Sequence, residues 1–261
     1  MPIDFHAPSN RNSYATRDAD PAWAGAMRAL VDPTGRRVAD VGCGGGIYSL
    51  AWHALGAAEV QGVDFSAQMV ATASERAAGV PGMAFRQGDA TATGLPGRGC
   101  DVVFERALVH HLQDYGPCFA EARRILAPGG LFIVQDRTPE DVELPGSAEH
   151  FRGCFFDCFP RLRVVEAGRR PTQAAVAAAL QAAGFTDLAH TTLWETRRTY
   201  AGFDALAADL AARTGRSILH ELDDAELQQL IAHIRDRLPV GQPIVEKDRW
   251  TVWSARAPAA G

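Results

Sequence analysis

The stretch "VADVGCGGGIYSLAW", residues 38–52, constrains the fold most, because it places Gly42, Gly44, Gly45 and Gly46 between an apolar run and a helical pattern. Glycine has no Cβ, so it accepts left-handed turns and lets a ligand lie against the main chain. A turn of this kind at the start of a helix also directs unbonded amides at the ligand. The stretch therefore predicts a strand, a ligand-binding turn and a helix.

Short apolar runs alternate with helical patterns from residue 37 to residue 136, as in a parallel sheet with helical crossovers. The predicted strands are "RVADVG", "EVQGVD", "MAFRQGD", "CDVVFE" and "GLFIVQD". The predicted helices are "IYSLAWHALG", "SAQMVATASERAAG" and "GPCFAEARRILAPGG". This alternation predicts the α/β fold class.

The rest of the chain predicts one large domain with two insertions. Residues 1–136 form an N-terminal segment and the ligand-binding half; 137–170 form an insertion without a clear period; 171–198 supply a core helix, capped by Thr172, and a strand; 199–243 form a helical insertion; 244–261 supply the last strand and a tail. Leu227, Leu230 and Ile231 carry the helical spacing of the second insertion, after Asp223 as a candidate cap. We expect both insertions to cap a substrate.

Composition excludes several partners. The formal net charge of -5 and the pI near 5.9 give no general attraction to nucleic acid or to anionic membranes. The polar start of the sequence lacks the pattern of a signal peptide, and no run reaches the roughly 20 apolar residues needed to cross a bilayer. We therefore expect a cytoplasmic protein that binds no membrane. Five cysteines do not suggest a disulfide framework, so reduced thiols are expected.

The glycine turn carries an acid, in the pattern Asp40-x-Gly42-x-Gly44-x-Gly46. Dinucleotide enzymes use G-x-G-x-x-G, and a carboxylate at the position of Asp40 would oppose a pyrophosphate. A ligand with an ammonium and a sulfonium suits this carboxylate, which favours S-adenosylmethionine. A nicotinamide-dependent oxidoreductase and a non-catalytic S-adenosylmethionine-binding module remain as alternatives.

These motifs resemble class I S-adenosylmethionine-dependent methyltransferases that act on small molecules, of the methyltransferase type 11-like kind. The resemblance implies a Rossmann-like, mostly parallel seven-stranded sheet with helices on both faces and helical insertions that form a substrate lid. It also implies S-adenosyl-L-methionine as the cofactor and a small-molecule acceptor methylated at O, N, C or S.

The resemblance assigns cofactor contacts along the chain. It implies that Asp40 orders the methionine end, that Asp64 binds the ribose hydroxyls and that Asp89 reads the adenine amino group. The remaining expected cofactor contacts are Tyr14, Gly42, Cys43, Gly44, Gly46, Phe65, Met69, Ala90, Glu105 and Arg106. Of these, Phe65 and Met69 would pack on the adenine, and Tyr14 would close over the cofactor.

Two histidines in "CDVVFERALVHHL" are the catalytic candidates. The resemblance places His111 near the transferring methyl, where an imidazole could remove an acceptor proton. His110 is the second candidate, and the alternative is that both rings pack on the following helix.

Other charged and sulfur-bearing groups suggest no metal. Cys154 and Cys158 form a C-x3-C pair, but no clustered histidine in the sequence completes a zinc site, so structural thiols are expected. Asp136, Asp141 and Glu143 would form an exposed acidic loop. The basic run with Arg161, Arg163, Arg169 and Arg170 would form a solvated face or recognise an anionic substrate.

Overall fold

The computed structural model describes residues 19–213, 215–239 and 243–259. Its strands are β1 (Arg37–Val41), β2 (Glu59–Asp64), β3 (Met83–Gln87), β4 (Cys100–Arg106), β5 (Leu126–Asp136), β6 (Thr186–Tyr200) and β7 (Ile244–Arg256). Its α-helices are α1 (Pro21–Leu30), α2 (Ile47–Ala54), α3 (Ala67–Arg76), α4 (Gly116–Ile125), α5 (Pro139–Val142), α6 (Phe151–Cys158), α7 (Leu162–Ala167), α8 (Gln173–Ala182), α9 (Phe203–Ala211) and α10 (Asp224–Arg235). Two 3₁₀ helices cover Val109–His111 and Ser217–Glu221.

The seven strands form one sheet in the order β3-β2-β1-β4-β5-β7-β6. The pairs β1/β2, β2/β3, β1/β4 and β4/β5 are parallel, and β5 pairs antiparallel with β7. The predicted α/β class and seven-stranded, mostly parallel sheet are confirmed. The strand order reverses direction between β1 and β4, and open α/β sheets bind ligands at such a switch point, beyond the carboxyl ends of the strands.

The chain divides into two compact units. The sheet unit consists, within the described residues, of 19–136, Pro171–Leu193 and 251–259, and the insertion unit consists of Arg137–Arg170 and Trp194–Trp250. The division falls inside β6 and β7, so each of these strands contributes to both units.

The sheet unit has a core on each face of its sheet. Val103 and Phe132 belong to one buried cluster, whereas their neighbours Val102 and Ile133 belong to another. Successive side chains of a strand point to opposite faces, so the continuous apolar runs of β4 and β5 fill both cores. This explains why the sequences of β4 and β5 contain unbroken apolar runs.

The insertion unit has its own core, in which α6, α9 and α10 pack around residues such as Phe155, Leu210 and Leu230. Helix α10 begins at the predicted cap: Asp223 accepts a bond from the amide of Glu226, and the Glu226 side chain bonds back to the Asp223 amide. The predicted Thr172 cap of α8 is also present. Helix α6 was not predicted, because six consecutive residues, 151–156, are buried and leave no polar face to mark a helical period.

The basic run of the sequence is neutralised inside the insertion unit. Arg161 pairs with Glu226 at 2.7 Å, Arg163 with Glu143 at 3.5 Å, Arg169 with Glu221 at 2.7 Å and Arg170 with Glu166 at 2.6 Å. The side chain of Arg170 is only 6% exposed. The prediction of a solvated basic face is therefore wrong for Arg170, because the matching acids are distant in the sequence or lie one helical turn away.

Among the described residues, no helix combines the length and the apolar character that crossing a membrane requires.

Candidate active site

The glycine turn follows β1 and leads directly into α2. Gly42, Gly44 and Gly46 have φ values of 77°, 50° and 79°, in the left-handed region that favours glycine. A Cβ on Gly46 would lie 3.0 Å from the Cβ of Ala73. The amides of Gly42 and Cys43 both donate to the carbonyl of Val63, at 2.8 and 3.1 Å, which fixes the turn against the end of β2.

Asp40 is a buried carboxyl at the end of β1. It is 2% exposed, and its Oδ2 accepts a hydrogen bond from the Ser49 hydroxyl at 2.5 Å. Burial raises the pKa of Asp40 to about 7; the Ser49 bond opposes this rise, and the negative charge of Asp64 adds to it. The positive charge of Arg106 lowers this pKa only in part, so a charged Asp40 remains costly in the ligand-free chain.

Asp64 is held at the end of β2 by main-chain amides. Its Oδ2 accepts from Gly44 at 2.8 Å and its Oδ1 accepts from Ser66 at 2.9 Å, so the acid and the glycine turn are locked together. The following Phe65 is 49% exposed, whereas Met69 is 5% exposed. Phe65 thus presents a flat apolar surface beside a fixed carboxylate.

Asp89 follows β3 and lies on the surface. Its Oδ1 accepts from the amide and the hydroxyl of Thr91, at 2.8 and 2.6 Å, and these bonds lower the pKa of Asp89. Asp89 is therefore an exposed carboxylate, and Ala90 beside it is half-buried.

The end of β4 holds a second buried carboxyl. Glu105 is 1% exposed; its Oε1 accepts from the Cys118 thiol at 3.2 Å, and its Oε2 has no hydrogen-bond partner among the described residues. Burial raises the pKa of Glu105 to about 8. The guanidinium of Arg106 lies 4.3 Å above the ring of Tyr48, and Ala107 leaves the strand with a φ of 53°, a strained backbone typical of functional sites.

His110 and Asp136 form a dyad that connects the ends of β4 and β5. Nδ1 of His110 lies 2.8 Å from Oδ2 and 3.0 Å from Oδ1 of Asp136, and the His110 amide donates to the same carboxylate at 3.2 Å. Asp136 is fully buried and Asp141 is 1% exposed, so the expectation of an exposed acidic loop is wrong for both residues. The carboxylate fixes the ring and favours the tautomer with the proton on Nδ1, which leaves Nε2 as a proton acceptor.

His111 occupies a different environment from His110. Its ring is exposed and lies 3.9 Å from the His110 ring, centroid to centroid. The sequence pointed to His111 first and missed the partnership of His110 with Asp136, because the two residues are joined only by the pairing of β4 with β5. The signal that could have found it was an acid at the end of the neighbouring strand.

The structure brings most of the predicted site residues to one edge of the sheet unit. Asp40, Gly42, Cys43, Gly44, Gly46, Asp64, Phe65, Met69, Asp89, Ala90, Glu105, Arg106, His110 and His111 all lie at or just beyond the carboxyl ends of β1 to β4 or in the first turns that follow. Tyr14 lies outside the described residues. This arrangement defines a Rossmann-like α/β protein in which the predicted site residues gather at the switch point of its sheet.

Comparison with known proteins agrees with this class. Residues 39–134 match the family described as "Methyltransferase domain". The chain is 39% identical over 103 residues to the ubiquinone biosynthesis O-methyltransferase of Caulobacter sp.. This match covers 38% of this chain and 40% of that protein. It is 34% identical over 117 residues to the methyltransferase YcgJ of Bacillus subtilis, covering 44% of this chain and 46% of that protein. The matches thus span less than half the length of these curated relatives.

Solved structures share the fold across most of the chain. The crystal structure of the Bacillus YcgJ protein has a TM-score of 0.56 at 22% identity, covering 91% of this chain and 98% of that one. The Haemonchus contortus phosphoethanolamine N-methyltransferase 2, solved with phosphomonomethylethanolamine and S-adenosylhomocysteine, has a TM-score of 0.60 at 17% identity, covering 98% of this chain and 60% of that one. Residues 39–134 are therefore similar to a methyltransferase domain, and the chain shares its fold with these solved structures.

Proposed function

We propose that this chain transfers a methyl group from S-adenosyl-L-methionine to an oxygen, nitrogen, carbon or sulfur atom of a small molecule. The observation that carries the proposal is the pair of carboxyls around the glycine turn: buried Asp40 at the end of β1 and Asp64 bonded to the amide of Gly44. Both acids lie next to the glycine turn, where the lack of side chains leaves the main chain open to a ligand. Such a site favours a ligand that is cationic at one end and rich in hydroxyls at the other.

The residues present fit this cofactor. The ammonium of a methionine moiety would offset the cost of the buried Asp40 carboxylate. Asp64 is fixed by the amides of Gly44 and Ser66 at the end of β2, where its carboxylate would accept hydrogen bonds from the ribose hydroxyls. The exposed ring of Phe65 can support a purine, with Met69, Asp89 and Ala90 at its edge. The bound cofactor would supply the sulfonium that makes the methyl carbon electrophilic.

The protein's own contribution is to position the acceptor and to hold its proton. His110, fixed by Asp136, would accept a proton at Nε2 from an acceptor O–H or N–H as the new bond forms. The buried Asp136 carboxylate would stabilise the resulting imidazolium. The role of His111 as a general base stays a prediction. The hydrogen bonds between His110 and Asp136 favour His110 for this role. An acceptor whose proton is already lost would need only alignment.

The capping of the substrate by the two insertions, expected from the sequence, stays a proposal. The lid predicted for residues 137–170 and 199–243 belongs to this unit, whose core contains several aromatic rings. Trp194 is an exposed indole, 43% accessible, and it contacts His150 edge-on at 5.6 Å. Replacing Trp194 with alanine is expected to raise the acceptor KM by roughly 2- to 10-fold, the range of a lost aromatic contact, while the Kd of S-adenosylhomocysteine stays unchanged. An unchanged KM would remove Trp194 from acceptor binding.

Calorimetric titration with S-adenosylhomocysteine tests the cofactor site. We expect micromolar binding to the intact chain and a loss of at least about 10-fold in Asp64→Ala, because hydrogen bonds to a charged carboxylate are removed. Asp101→Asn is the matched control: Asp101 pairs with Arg37 at the amino end of β4, so its loss affects the sheet but not the site. Absence of binding to the folded chain would refute the proposal.

The two alternative functions predict different results in binding and methyl-transfer assays. A nicotinamide-dependent oxidoreductase would bind NAD and not S-adenosylhomocysteine. A non-catalytic binding module would bind S-adenosylhomocysteine but transfer no methyl group. Incubation with isotopically labelled S-adenosylmethionine and a pool of small metabolites separates the binding module from the proposed methyltransferase, because transfer adds one labelled methyl group to an acceptor.

A further inference from the structure

We propose that Cys154, Asp157 and His233 of the insertion unit form a Zn²⁺ site. Cys154 and Asp157 lie on α6, and His233 lies on α10. One ligand atom from each, the Cys154 thiol sulfur, an Asp157 carboxylate oxygen and a His233 ring nitrogen, lies within 4.8 Å of the others. It is the one group of three or more such residues found in the part of the chain that the structure describes.

The donor types match zinc. Thiolate, imidazole and carboxylate are the protein ligands that Zn²⁺ accepts, at about 2.0–2.3 Å. Ligand atoms of a tetrahedral zinc site are therefore about 3.5 Å apart. Zinc binding would bring the three ligand atoms from within 4.8 Å to this spacing, and water would complete the fourth position.

Two of the three donors are enclosed by the fold, whereas Asp157 lies at its surface. Cys154 is fully buried, and Nε2 of His233 is buried without a hydrogen-bond partner among the described residues. Gly146 packs against the group so closely that a Cβ there would lie 2.6 Å from the Cys154 sulfur and 2.7 Å from an Asp157 oxygen. A glycine at this point is what permits the loop to contact both donors.

Arg237 is the competing partner. Its guanidinium donates to Nδ1 of His233 at 3.0 Å and lies 3.8 Å from Oδ2 of Asp157. This bond makes Nδ1 the acceptor, so the proton lies on the buried, unpartnered Nε2. Zinc binding at Nε2 would shift that proton to Nδ1, release Arg237 and displace the proton of the Cys154 thiol to water. Zinc would then connect α6 to α10 and stabilise the insertion unit.

Zinc titration of the untagged, chelator-treated chain tests the site. We expect one Zn²⁺ per chain, a rise in Tm on binding, and a thiolate-to-metal absorption band with Co²⁺. His233→Ala and Cys154→Ser should weaken binding by more than the 10- to 100-fold typical of outer ligand contacts. Cys100→Ser, which removes a similarly buried thiol from the sheet unit, should bind Zn²⁺ like the parent chain.

Arg237→Gln separates a metal site from a structural ion pair. It removes the competing positive charge, and its side-chain oxygen can accept a bond from the Nδ1 proton of zinc-bound His233, so we expect tighter binding. If Cys154→Ser fails to fold, His233→Ala and Arg237→Gln still test the proposed zinc site. Binding that persists in His233→Ala, or is weakened in Arg237→Gln, would overturn the proposal, as would no binding to the parent chain. None of these outcomes depends on the proposed methyl transfer.

Discussion

At the scale of single residues, His110 is the favoured base because the buried Asp136 carboxylate fixes its ring. His110→Gln removes the proton acceptor and should lower kcat by about 10²- to 10⁴-fold, the usual contribution of a general base. The Kd of S-adenosylhomocysteine should not change. His111→Gln is the matched control and should keep kcat near that of the parent. A larger loss in His111→Gln would return the catalytic role to His111.

Asp40 makes stability depend on pH when no ligand is bound. Its folded pKa of about 7 exceeds its ordinary value of 3.8, so the folded chain binds the proton more tightly than the unfolded chain. The free energy of unfolding therefore falls as pH rises from about 4 to about 7 and stays low above that range. The two pKa values set a ceiling of about 4 kcal/mol for this loss.

Asp40→Asn tests this dependence, because an amide of similar shape cannot ionise. We expect the ligand-free variant to be more stable than the parent at pH 8 and similar to it at pH 4, in urea denaturation at both values. Its affinity for S-adenosylhomocysteine should fall, since the ammonium loses its counter-charge. Equal pH dependence in the two proteins would show that Asp40 is not the responsible group.

At the scale of elements, the turn from β1 to α2 contains two neighbouring glycines, Gly45 and Gly46, whose backbone conformations differ. Gly46 has a φ of 79° and no room for a Cβ beside Ala73, so Gly46→Ala should destabilise the fold by at least about 1–2 kcal/mol and weaken S-adenosylhomocysteine binding. In Gly45→Ala the new Cβ would meet Thr72 at an ordinary 3.5 Å, and Gly45 has no positive φ. This control should leave both properties nearly unchanged, as measured by Tm and calorimetry.

The same elements explain how much the sequence could predict. Strands β1 to β5 and the glycine turn were predictable, because apolar runs, glycines and the acid after each strand are local signals. Helix α6 was not, since burial on all sides removes its period. The pairing of His110 with Asp136 and the approach of His233 to Cys154 were also hidden, because strand order and helix packing bring together residues that are distant in the sequence.

At the scale of the whole molecule, each unit has its own core, and the insertion unit also depends on buried ion pairs. Arg216 is 2% exposed, and it bonds to Asp209 at 2.7 Å and to Glu246 at 2.5 Å. Arg216→Met removes one partner from both buried acids, although Arg197 contacts them as well. Breaking a buried pair in this way costs about 3–5 kcal/mol. Stability should therefore fall within the insertion unit.

Hydrogen exchange measured peptide by peptide checks where that loss occurs. Peptides from Trp194–Trp250 should lose protection in Arg216→Met, whereas peptides from β1 to β4 should keep it, and S-adenosylhomocysteine should bind with an unchanged Kd. Arg198→Met is the control, because Arg198 contacts the same Asp209 but its side chain is 48% exposed, so its ion pair contributes little. Equal loss of protection in both units would mean that they unfold together, and the cofactor site would then depend on the ion pairs of the insertion unit.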